Sequence, residues 1–326
     1  MKILFIGGTG VISTSVSQLC IEKGYELYLL NRGKSSRQAP GGAKIITGDI
    51  NDVASVKKLL EGHKFDSVVD WIAFTEDDVK RDFELFKEKT GQFVFISSAS
   101  IYSPKRSMPI TENTPVENPF WKYSQAKIAC ENYLMKVYKE ENFPVTIVRP
   151  SHTYDKTKVP IRIEYLPLHR MKTGKPVIIH DDGNSLWTLT HTKDFAKGFI
   201  GILGNPKTIG EVYQITSDET LTWNQIAQTL ADKMGCELKI AHLPSEFIAK
   251  YDEEWGAGLF GDKANDAVFD NSKIKSLVPD FKATIPFSKG AEEIAGWYSD
   301  PKNQIVDYEL DKLMDKMIDD YSKISK

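Results

Sequence analysis

A short apolar run that stops at two glycines opens the chain. Residues 2–6 (KILFI) are followed by Gly7 and Gly8, and apolar residues then recur at helical spacing over residues 11–23. The run suits a strand buried on both faces of a parallel sheet, so the pattern predicts a strand, a glycine turn and a helix. Such a turn lets the backbone approach a pyrophosphate, which the helix N-terminus binds through its N–H groups and partial positive charge. A tight connection without a ligand is the alternative.

The spacing of the glycines indicates which kind of dinucleotide-binding turn this is. It is Gly7-x-x-Gly10-x-x-Ser13 and departs from the usual dinucleotide pattern G-x-G-x-x-G, with Ser13 as a small residue in place of the third glycine. We expect the turn and the first helical residues to bind the cofactor through Gly7, Thr9, Gly10, Val11 and Ile12.

Composition limits the class of protein. The chain has 326 residues, enough for one large domain or two modest ones. Its formal net charge is −3, and this slightly acidic balance gives no electrostatic indication of nucleic-acid binding. No apolar run approaches the ~20 residues of a membrane helix, and the N-terminus enters a core strand without room for a signal peptide. Three distant cysteines and six histidines show no metal-ligand spacing. We expect a cytoplasmic protein that binds neither membranes nor metal, and for which nucleic acid is an unexpected partner.

The end of the second predicted strand bears on the choice of cofactor. Residues 25–30 (YELYLL) predict this strand, and Asn31 follows where an acidic residue would bind the ribose hydroxyls of NAD. The cations Arg32, Lys34 and Arg37 come next. A missing carboxylate beside cations favours the 2′-phosphate of NADP, with NAD as the other choice. A solvated basic loop is the alternative.

Strands alternate with helices over residues 1–155. The further strands are predicted at residues 44–47, 67–74, 92–97 and 145–148. This rhythm predicts a Rossmann-like, doubly wound parallel sheet whose ligands bind beyond the carboxyl ends of the strands. Asp49, Ile50 and Ala73 follow such ends and are expected at the cofactor. Asp49 either accepts a hydrogen bond from the adenine or caps the next helix.

The chain becomes less regular after residue 155. We expect residues 156–326 to form mainly a smaller, mixed α/β substrate domain with C-terminal helices, and segments of 185–220 to return to the first domain. Glycines and aromatics over residues 251–269 predict a loop that is either a lid or pocket wall or simply packed. One apolar stripe over residues 307–321 predicts a helix that docks on its own domain or on a partner.

Three residues form the candidate catalytic group. Tyr123 and Lys127 stand four residues apart in a helix predicted over residues 120–141, and therefore share one face. A tyrosine has a reference pKa near ~10, and a cation one turn away is expected to lower it. Ser98 follows a strand and can hydrogen-bond the substrate oxygen. A lone Y-x-x-x-K is common on exposed helix faces, but its order after the glycine turn and the serine predicts hydride transfer.

These motifs resemble the extended short-chain dehydrogenase/reductases of the nucleotide-sugar epimerase/dehydratase type, over about residues 1–300. GGTGVIS resembles their cofactor turn, and SSASIY their S-S-x-x-V-Y segment with its catalytic residue at Ser98. YSQAKIACE matches Y-x-x-x-K-x-x-x-E at Tyr123, Lys127 and Glu131. RPSHTYD resembles the R-x-x-N-V-Y-G segment around nicotinamide and substrate, and LTHTKDFAKG resembles H-V-D-D-V-A.

The resemblance implies an NAD(P)-dependent epimerase, dehydratase or reductase. Its substrate would be a small hydroxyl or carbonyl compound, such as a nucleotide sugar or related sugar, and the protein would be a monomer or a homodimer. Lys127, Pro150 and His152 would also contact the cofactor. The substrate positions would be Ser100, Tyr154, Trp187 and Trp255.

Some segments depart from the sugar epimerases. Leu186 and Trp187 stand where an arginine usually binds the diphosphate, and His152 replaces a common asparagine, which weighs against a UDP-sugar. Residues 31–33 and 255–270 resemble an atypical branch that includes the plant chloroplast stem-loop-binding proteins. A second hypothesis is therefore a non-catalytic or RNA-associated binding protein that keeps the Rossmann fold. The candidate catalytic group and the acidic net charge favour the enzyme.

Overall fold

The first half of the protein alternates strands and helices. The structure is a computed structural model that describes residues 1–162 and 164–324. The elements of this half are β1 (Lys2–Ile6), α1 (Val11–Glu22), β2 (Glu26–Asn31), β3 (Lys44–Thr47), α2 (Val53–Leu59), β4 (Ser67–Asp70), α3 (Glu76–Phe86), β5 (Phe93–Ile96), α4 (Lys122–Glu141) and β6 (Val145–Pro150). The predicted alternation is confirmed.

The second half has short strands and more helices. Its elements are β7 (His152–Tyr154), α5 (Leu166–Lys172), β8 (Val177–His180), β9 (Leu186–Trp187), β10 (Leu189–His191), α6 (Thr192–Ile200), β11 (Val212–Ile215), β12 (Leu221–Thr222), α7 (Trp223–Met234), β13 (Ile240–Leu243), α8 (Ser245–Ala249), α9 (Glu253–Gly258), α10 (Ser272–Leu277), α11 (Phe287–Trp297) and α12 (Tyr308–Ile324). A π-helical turn, Leu259–Lys263, follows α9 directly.

Seven parallel strands form the central sheet, in the order β11-β6-β5-β4-β1-β2-β3. The predicted Rossmann-like fold is confirmed. The order reverses at β1, which pairs with β2 on one side and β4 on the other, so a crevice opens at the carboxyl ends of these strands. From the second half, β11 pairs with β6, and α6 packs on α1. These segments lie within the predicted range 185–220.

Burial on both faces explains why the central strands read as apolar runs. In β1 the side chains from Ile3 to Ile6 are fully buried, and β4, β5 and β6 are also buried along their length. One apolar cluster covers each face of the sheet. Each fully buried Leu, Ile or Phe side chain contributes about 1.5–3 kcal/mol relative to exposure. The sheet is therefore a rigid base for the loops at its carboxyl edge.

Some element predictions are wrong in detail. β4 ends at Asp70, four residues before the predicted end, because the Asp70 Oδ1 accepts hydrogen bonds from the N–H groups of Ile72 and Ala73 and turns the chain out of the sheet. Residues 251–269 are not a plain loop, because α9 and the π-helical turn occupy most of their first half.

The terminal helix docks on its own chain. Leu310, Met314 and Met317 of α12 are buried in a cluster that also contains Phe247 and Trp255. Such an amphipathic helix buries its apolar stripe and leaves its charges in water. Among the described residues, no helix is long and apolar enough to cross a membrane.

Candidate active site

The glycine turn after β1 forms the base of the first candidate site. Gly7 has φ +82°, and a Cβ atom there would lie 2.5 Å from Cγ2 of Ile72, so only glycine fits. The Ser13 hydroxyl accepts a hydrogen bond from the Gly10 N–H at 2.8 Å and donates to the Gly7 carbonyl at 3.0 Å. Ser13 thus does more than replace a third glycine, because its side chain braces the turn.

A cavity of about 630 Å³ lies over this turn. The predicted cofactor residues that line it are Gly7, Thr9, Gly10, Asn31, Arg32, Asp49 and Ile50. Val11 and Ile12 begin α1 directly beneath the turn. Ile45, Ile72 and Phe74 also line the cavity and are 50%, 39% and 50% exposed, an apolar surface that sequence reasoning missed. The glycine turn, the helix N-terminus and this apolar wall fit a dinucleotide.

Two of the three cations that follow β2 are free of ion pairs among the described residues. Arg37 is engaged elsewhere, since its guanidinium lies 2.5 Å from the Asp155 carboxylate and also donates to Thr157. Arg32 and Lys34 are exposed and line the cavity. Arg37 lines the cavity as well, but Asp155 and Thr157 hold its guanidinium, so Arg32 and Lys34 are the cations left to meet a ligand phosphate there.

Asp49 does not cap the helix that follows it. The carboxylate of Asp52 accepts from the Ser55 N–H at 3.1 Å and caps α2, whereas Asp49 accepts from the Asn51 N–H within its own turn. The capping alternative for Asp49 is wrong. Its carboxylate lies on the cavity wall, where a ligand amino group can reach it.

Lys127 is buried beside one residue of this cavity, Phe74, and one residue of a second cavity, Tyr123. Its ammonium donates to the carbonyl oxygens of Ala73 at 2.7 Å and Ile96 at 2.8 Å. The Nζ atom is 4.7 Å from the ring centroid of Phe74, which lines the cofactor cavity, and 5.9 Å from that of Tyr123. Ala73, which was expected at the cofactor, does not line the cofactor cavity: its side chain is buried, and its carbonyl accepts from the lysine.

The protonation of Tyr123 and Lys127 differs from the prediction. Burial raises the pKa of Tyr123, although the Ser98 hydroxyl hydrogen-bonded to it acts in the opposite direction. Burial also lowers the pKa of Lys127 to about 8. The expectation that Lys127 lowers the pKa of Tyr123 is wrong here, since removal from water dominates at both groups and two carbonyls bind the ammonium.

The second cavity has a volume of about 440 Å³ and opens beyond β5 and β6. The predicted residues that line it are Ser98, Ser100, Tyr123, Pro150, His152 and Trp187. The hydroxyls of Ser98 and Ser100 are 2.9 Å apart, and Ser100 reaches Ser124 of α4 at 2.8 Å. The serine segment and the tyrosine helix are therefore joined at the cavity wall.

His152 is neutral in this cavity. Burial lowers the pKa of His152 to about 3, with Lys263 and Lys158 acting in the same direction. The Trp187 indole N–H donates to the His152 Nδ1 at 3.0 Å, so the ring proton is on Nε2. His152 can donate one hydrogen bond but carries no charge.

Two predicted substrate positions lie outside this cavity. Tyr154 is fully buried, and its ring contacts His191 and Phe287 in the core, so its assignment to the substrate is wrong. Its side chain points inward because β7 alternates its faces. Trp255 lines a neighbouring cavity of about 340 Å³ that shares His152 with the second cavity.

Sequence reasoning missed several charged residues of the second cavity. Lys158, Asp262 and Lys263 line it. For Asp262 and Lys263, the one signal was the set of glycines and aromatics over residues 251–269, for which a pocket wall was one of the predicted alternatives. No pattern pointed to Lys158. Within residues 1–162 and 164–324, no group of His, Cys, Asp and Glu side chains could bind a metal ion.

Comparison with known sequences assigns the family. The sequence profile of the NAD dependent epimerase/dehydratase family matches residues 3–216. The chain therefore belongs to this family, which confirms the resemblance to the extended short-chain dehydrogenase/reductases and the enzyme class it implied. Membership also supports a nicotinamide dinucleotide as the cofactor.

Relatives within the family differ in their described activities. The chain is 30% identical over 266 residues to the chloroplast stem-loop binding protein of 41 kDa b of Arabidopsis thaliana, covering 76% of this chain and 67% of the relative. It is 24% identical to the dTDP-D-glucose 4,6-dehydratase of Mus musculus, covering 91% and 88%. The solved dTDP-glucose 4,6-dehydratase of Bacillus anthracis, in complex with NAD, superimposes with a TM-score of 0.74 at 19% identity, covering 92% and 96%. The last likeness shows the fold.

Proposed function

We propose that the protein is an NAD(P)-dependent enzyme that oxidises or reduces a hydroxyl or carbonyl carbon of a sugar nucleotide or related sugar. The observation that carries this proposal is the position of the buried Lys127 ammonium, which lies 4.7 Å from the ring centroid of Phe74 in the cofactor cavity and 5.9 Å from that of Tyr123 in the second cavity. An epimerase, a dehydratase and a reductase all begin with this hydride transfer.

Each member of the catalytic group has a role that its surroundings support. When bound, the nicotinamide takes or gives the hydride. Tyr123 moves the hydroxyl proton, and Ser98 holds the substrate oxygen against it. The Lys127 ammonium donates two of its three N–H bonds to backbone carbonyls, and the third N–H bond orients the cofactor. At pH values below about 8, Lys127 is mainly charged.

We propose NADP as the preferred cofactor, and Arg32→Ala tests this choice. The variant is expected to weaken NADP binding about tenfold or more and NAD binding little, because a charge-assisted contact to the 2′-phosphate is lost. Calorimetric titration with both cofactors measures the effect. Arg37→Ala is the matched control, since Asp155 and Thr157 already engage that guanidinium. Equal affinities of the unmodified protein for the two cofactors, or tighter binding of NAD, would contradict the choice.

A substrate panel tests the proposed reaction. The protein is incubated with NAD or NADP and with dTDP-glucose, UDP-glucose, UDP-glucuronic acid or the corresponding free sugars. Nicotinamide absorbance reports hydride transfer, and NMR identifies the product. We expect turnover with at least one compound and its loss in Tyr123→Phe. If no compound transfers hydride while both cofactors bind, the enzyme proposal fails for this substrate class.

An RNA-associated binding protein is the second candidate, favoured by the similarity to the Arabidopsis stem-loop binding protein. We expect weak or no RNA binding, because the net charge of −3 repels phosphates. Gel-shift titration of a stem-loop RNA at ~0.15 M salt measures it. Sub-micromolar affinity that falls steeply as salt rises would favour this candidate over the enzyme.

A further inference from the structure

Asp262 brings a carboxyl group into the catalytic cavity. It belongs to the π-helical turn Leu259–Lys263, and its side chain is 15% exposed. Of the described residues that line this cavity, it is the only aspartate or glutamate. π-Helical turns are rare and occur frequently at functional sites, because they redirect a side chain at some cost in helix stability.

The residue before Asp262 is fixed by a buried asparagine. The Asn118 side chain is 3% exposed, and its amide N–H donates to the Gly261 carbonyl at 2.8 Å. A Cβ atom on Gly261 would lie 2.7 Å from the Asn118 Oδ1, so this close approach requires glycine. The turn is thus clamped from one side.

The residue after Asp262 is fixed from the other side. The Lys263 carbonyl accepts hydrogen bonds from the His180 Nε2–H at 2.9 Å and the Trp223 indole N–H at 3.0 Å. These donors belong to β8 and α7. Since both neighbouring carbonyls are bound by separate elements, the backbone of Asp262 has little freedom to move.

Asn118 also contacts the other two segments of the site. It donates to the Ser100 carbonyl at 2.7 Å, and its Oδ1 accepts from the N–H groups of Phe120 and Trp121 just before α4. One buried amide therefore joins the serine segment, the start of the tyrosine helix and the turn that carries Asp262. Its hydrogen bonds set the relative position of all three.

Asp262 and Tyr123 line the same cavity, and their charges interact. Burial raises the pKa of Asp262, while Lys263 and Arg106 act against that rise. The charge of Asp262 in turn contributes to the raised pKa of Tyr123, after burial. The Lys263 ammonium is 3.8 Å from the carboxylate and 4.9 Å from the Trp121 ring centroid. A carboxyl whose pKa is raised above its usual range by burial holds a proton more readily and is suited to proton transfer.

We propose that Asp262 is a further catalytic residue, a second acid–base group opposite Tyr123, with Asn118 as its positioning residue. The proposal rests on the proposed function. Once hydride transfer has made a carbonyl, Asp262 takes the proton from the neighbouring carbon. The C–H bond breaks, its electron pair forms the C=C bond of an enolate, and the charge moves to the oxygen that Tyr123 and Ser98 bind. The proton returns from Asp262 to carbon in the reverse step, so the substrate class is a carbonyl compound with a hydrogen on the adjacent carbon.

A titration without substrate tests the geometry. The phenolate of Tyr123 is followed by ultraviolet absorbance, as the difference between the unmodified protein and Tyr123→Phe. Asp262→Asn is expected to lower the pKa of Tyr123 measurably, because a negative charge on the wall of the same cavity is removed. Asp266→Asn is the matched control: this exposed carboxylate lies outside the cavity and bonds the Leu186 N–H. An unchanged Tyr123 pKa in Asp262→Asn would overturn the proposal.

A solvent-exchange experiment tests the catalytic step. The cofactor-loaded protein is incubated in D2O with UDP-glucose or dTDP-glucose, and NMR follows deuterium at the carbon next to the reacting one. Asp262→Asn is expected to slow this exchange roughly 10²-fold or more while hydride transfer persists. Hydride transfer without exchange in the unmodified protein, or undiminished exchange in Asp262→Asn, would overturn the proposal and leave the proposed function intact. If neither UDP-glucose nor dTDP-glucose shows hydride transfer, the proposed function fails for these two substrates. The titration of Tyr123 then still decides whether Asp262 lies close to it.

The role of Asn118 has its own variant. Asn118→Ser keeps a polar group but removes the long amide, and thermal unfolding verifies that the protein remains folded. We expect the pKa of Tyr123 to fall as in Asp262→Asn, with cofactor affinity within a few-fold of the unmodified protein. A folded variant with an unchanged Tyr123 pKa would show that Asn118 does not position the carboxyl.

Discussion

Tyr123→Phe is expected to lower the rate of hydride transfer by ~10²–10⁴, because the variant lacks the positioned acid–base group. The ring packing against Trp121, at a centroid distance of 5.0 Å, stays in place. Cofactor affinity should remain within a few-fold, since the glycine turn that binds the pyrophosphate is untouched. Single-turnover absorbance and cofactor titration measure the two quantities separately.

The pH dependence gives this prediction a second readout. Because burial raises the pKa of Tyr123, its hydroxyl is protonated at neutral pH. Oxidation should therefore speed up as pH rises towards that pKa, and Tyr123→Phe should lose this rise. Tyr133→Phe is the matched control, since it removes a hydroxyl from the same helix outside the cavity. Turnover of Tyr123→Phe at the unmodified rate would show that this tyrosine is not the acid–base group.

The sheet was predictable because its strands are buried on both faces and read as short apolar runs. The ends of the strands were less predictable, as β4 shows. The apolar run that Val68 and Val69 begin resumes directly after Asp70 with Trp71 and Ile72, so pattern alone extends the strand across the aspartate. What stops it is a single side chain, since the Asp70 carboxylate binds two N–H groups of the following turn. A strand end that is set by the hydrogen bonds of one side chain leaves no periodic pattern in the sequence.

The candidate site was predictable where function needs a fixed spacing along one element. The four-residue step from Tyr123 to Lys127 and the glycines after β1 are of this kind. Asp262 depends instead on contacts from Asn118, His180 and Trp223, which lie far apart in sequence. Tyr154 was assigned wrongly for a related reason, because a three-residue strand gives too little alternation to show which face is buried.

The glutamate of the Y-x-x-x-K-x-x-x-E pattern has a structural role that the contacts explain. Glu131 of α4 binds the Arg149 guanidinium in a fork, with Nε–Oε1 at 2.9 Å and Nη2–Oε2 at 2.6 Å. Arg149 also donates to the Glu112 carbonyl and lies 4.9 Å from the Tyr102 ring centroid. Because Arg149 immediately precedes Pro150, this pair fixes the end of β6 at the catalytic cavity.

Glu131→Ala is therefore expected to cost about 3–5 kcal/mol of unfolding free energy, since it leaves the Arg149 guanidinium buried without its counter-charge. The two side chains are only 8% and 5% exposed, so water cannot replace the lost partner. Urea denaturation followed by circular dichroism measures the loss. The double variant Glu131→Ala/Arg149→Met should recover part of it, because the uncompensated charge is removed as well. Glu84→Ala, which breaks an exposed pair with Lys87, should cost at most about 1 kcal/mol. Equal losses for Glu131→Ala and Glu84→Ala would contradict the buried-pair argument.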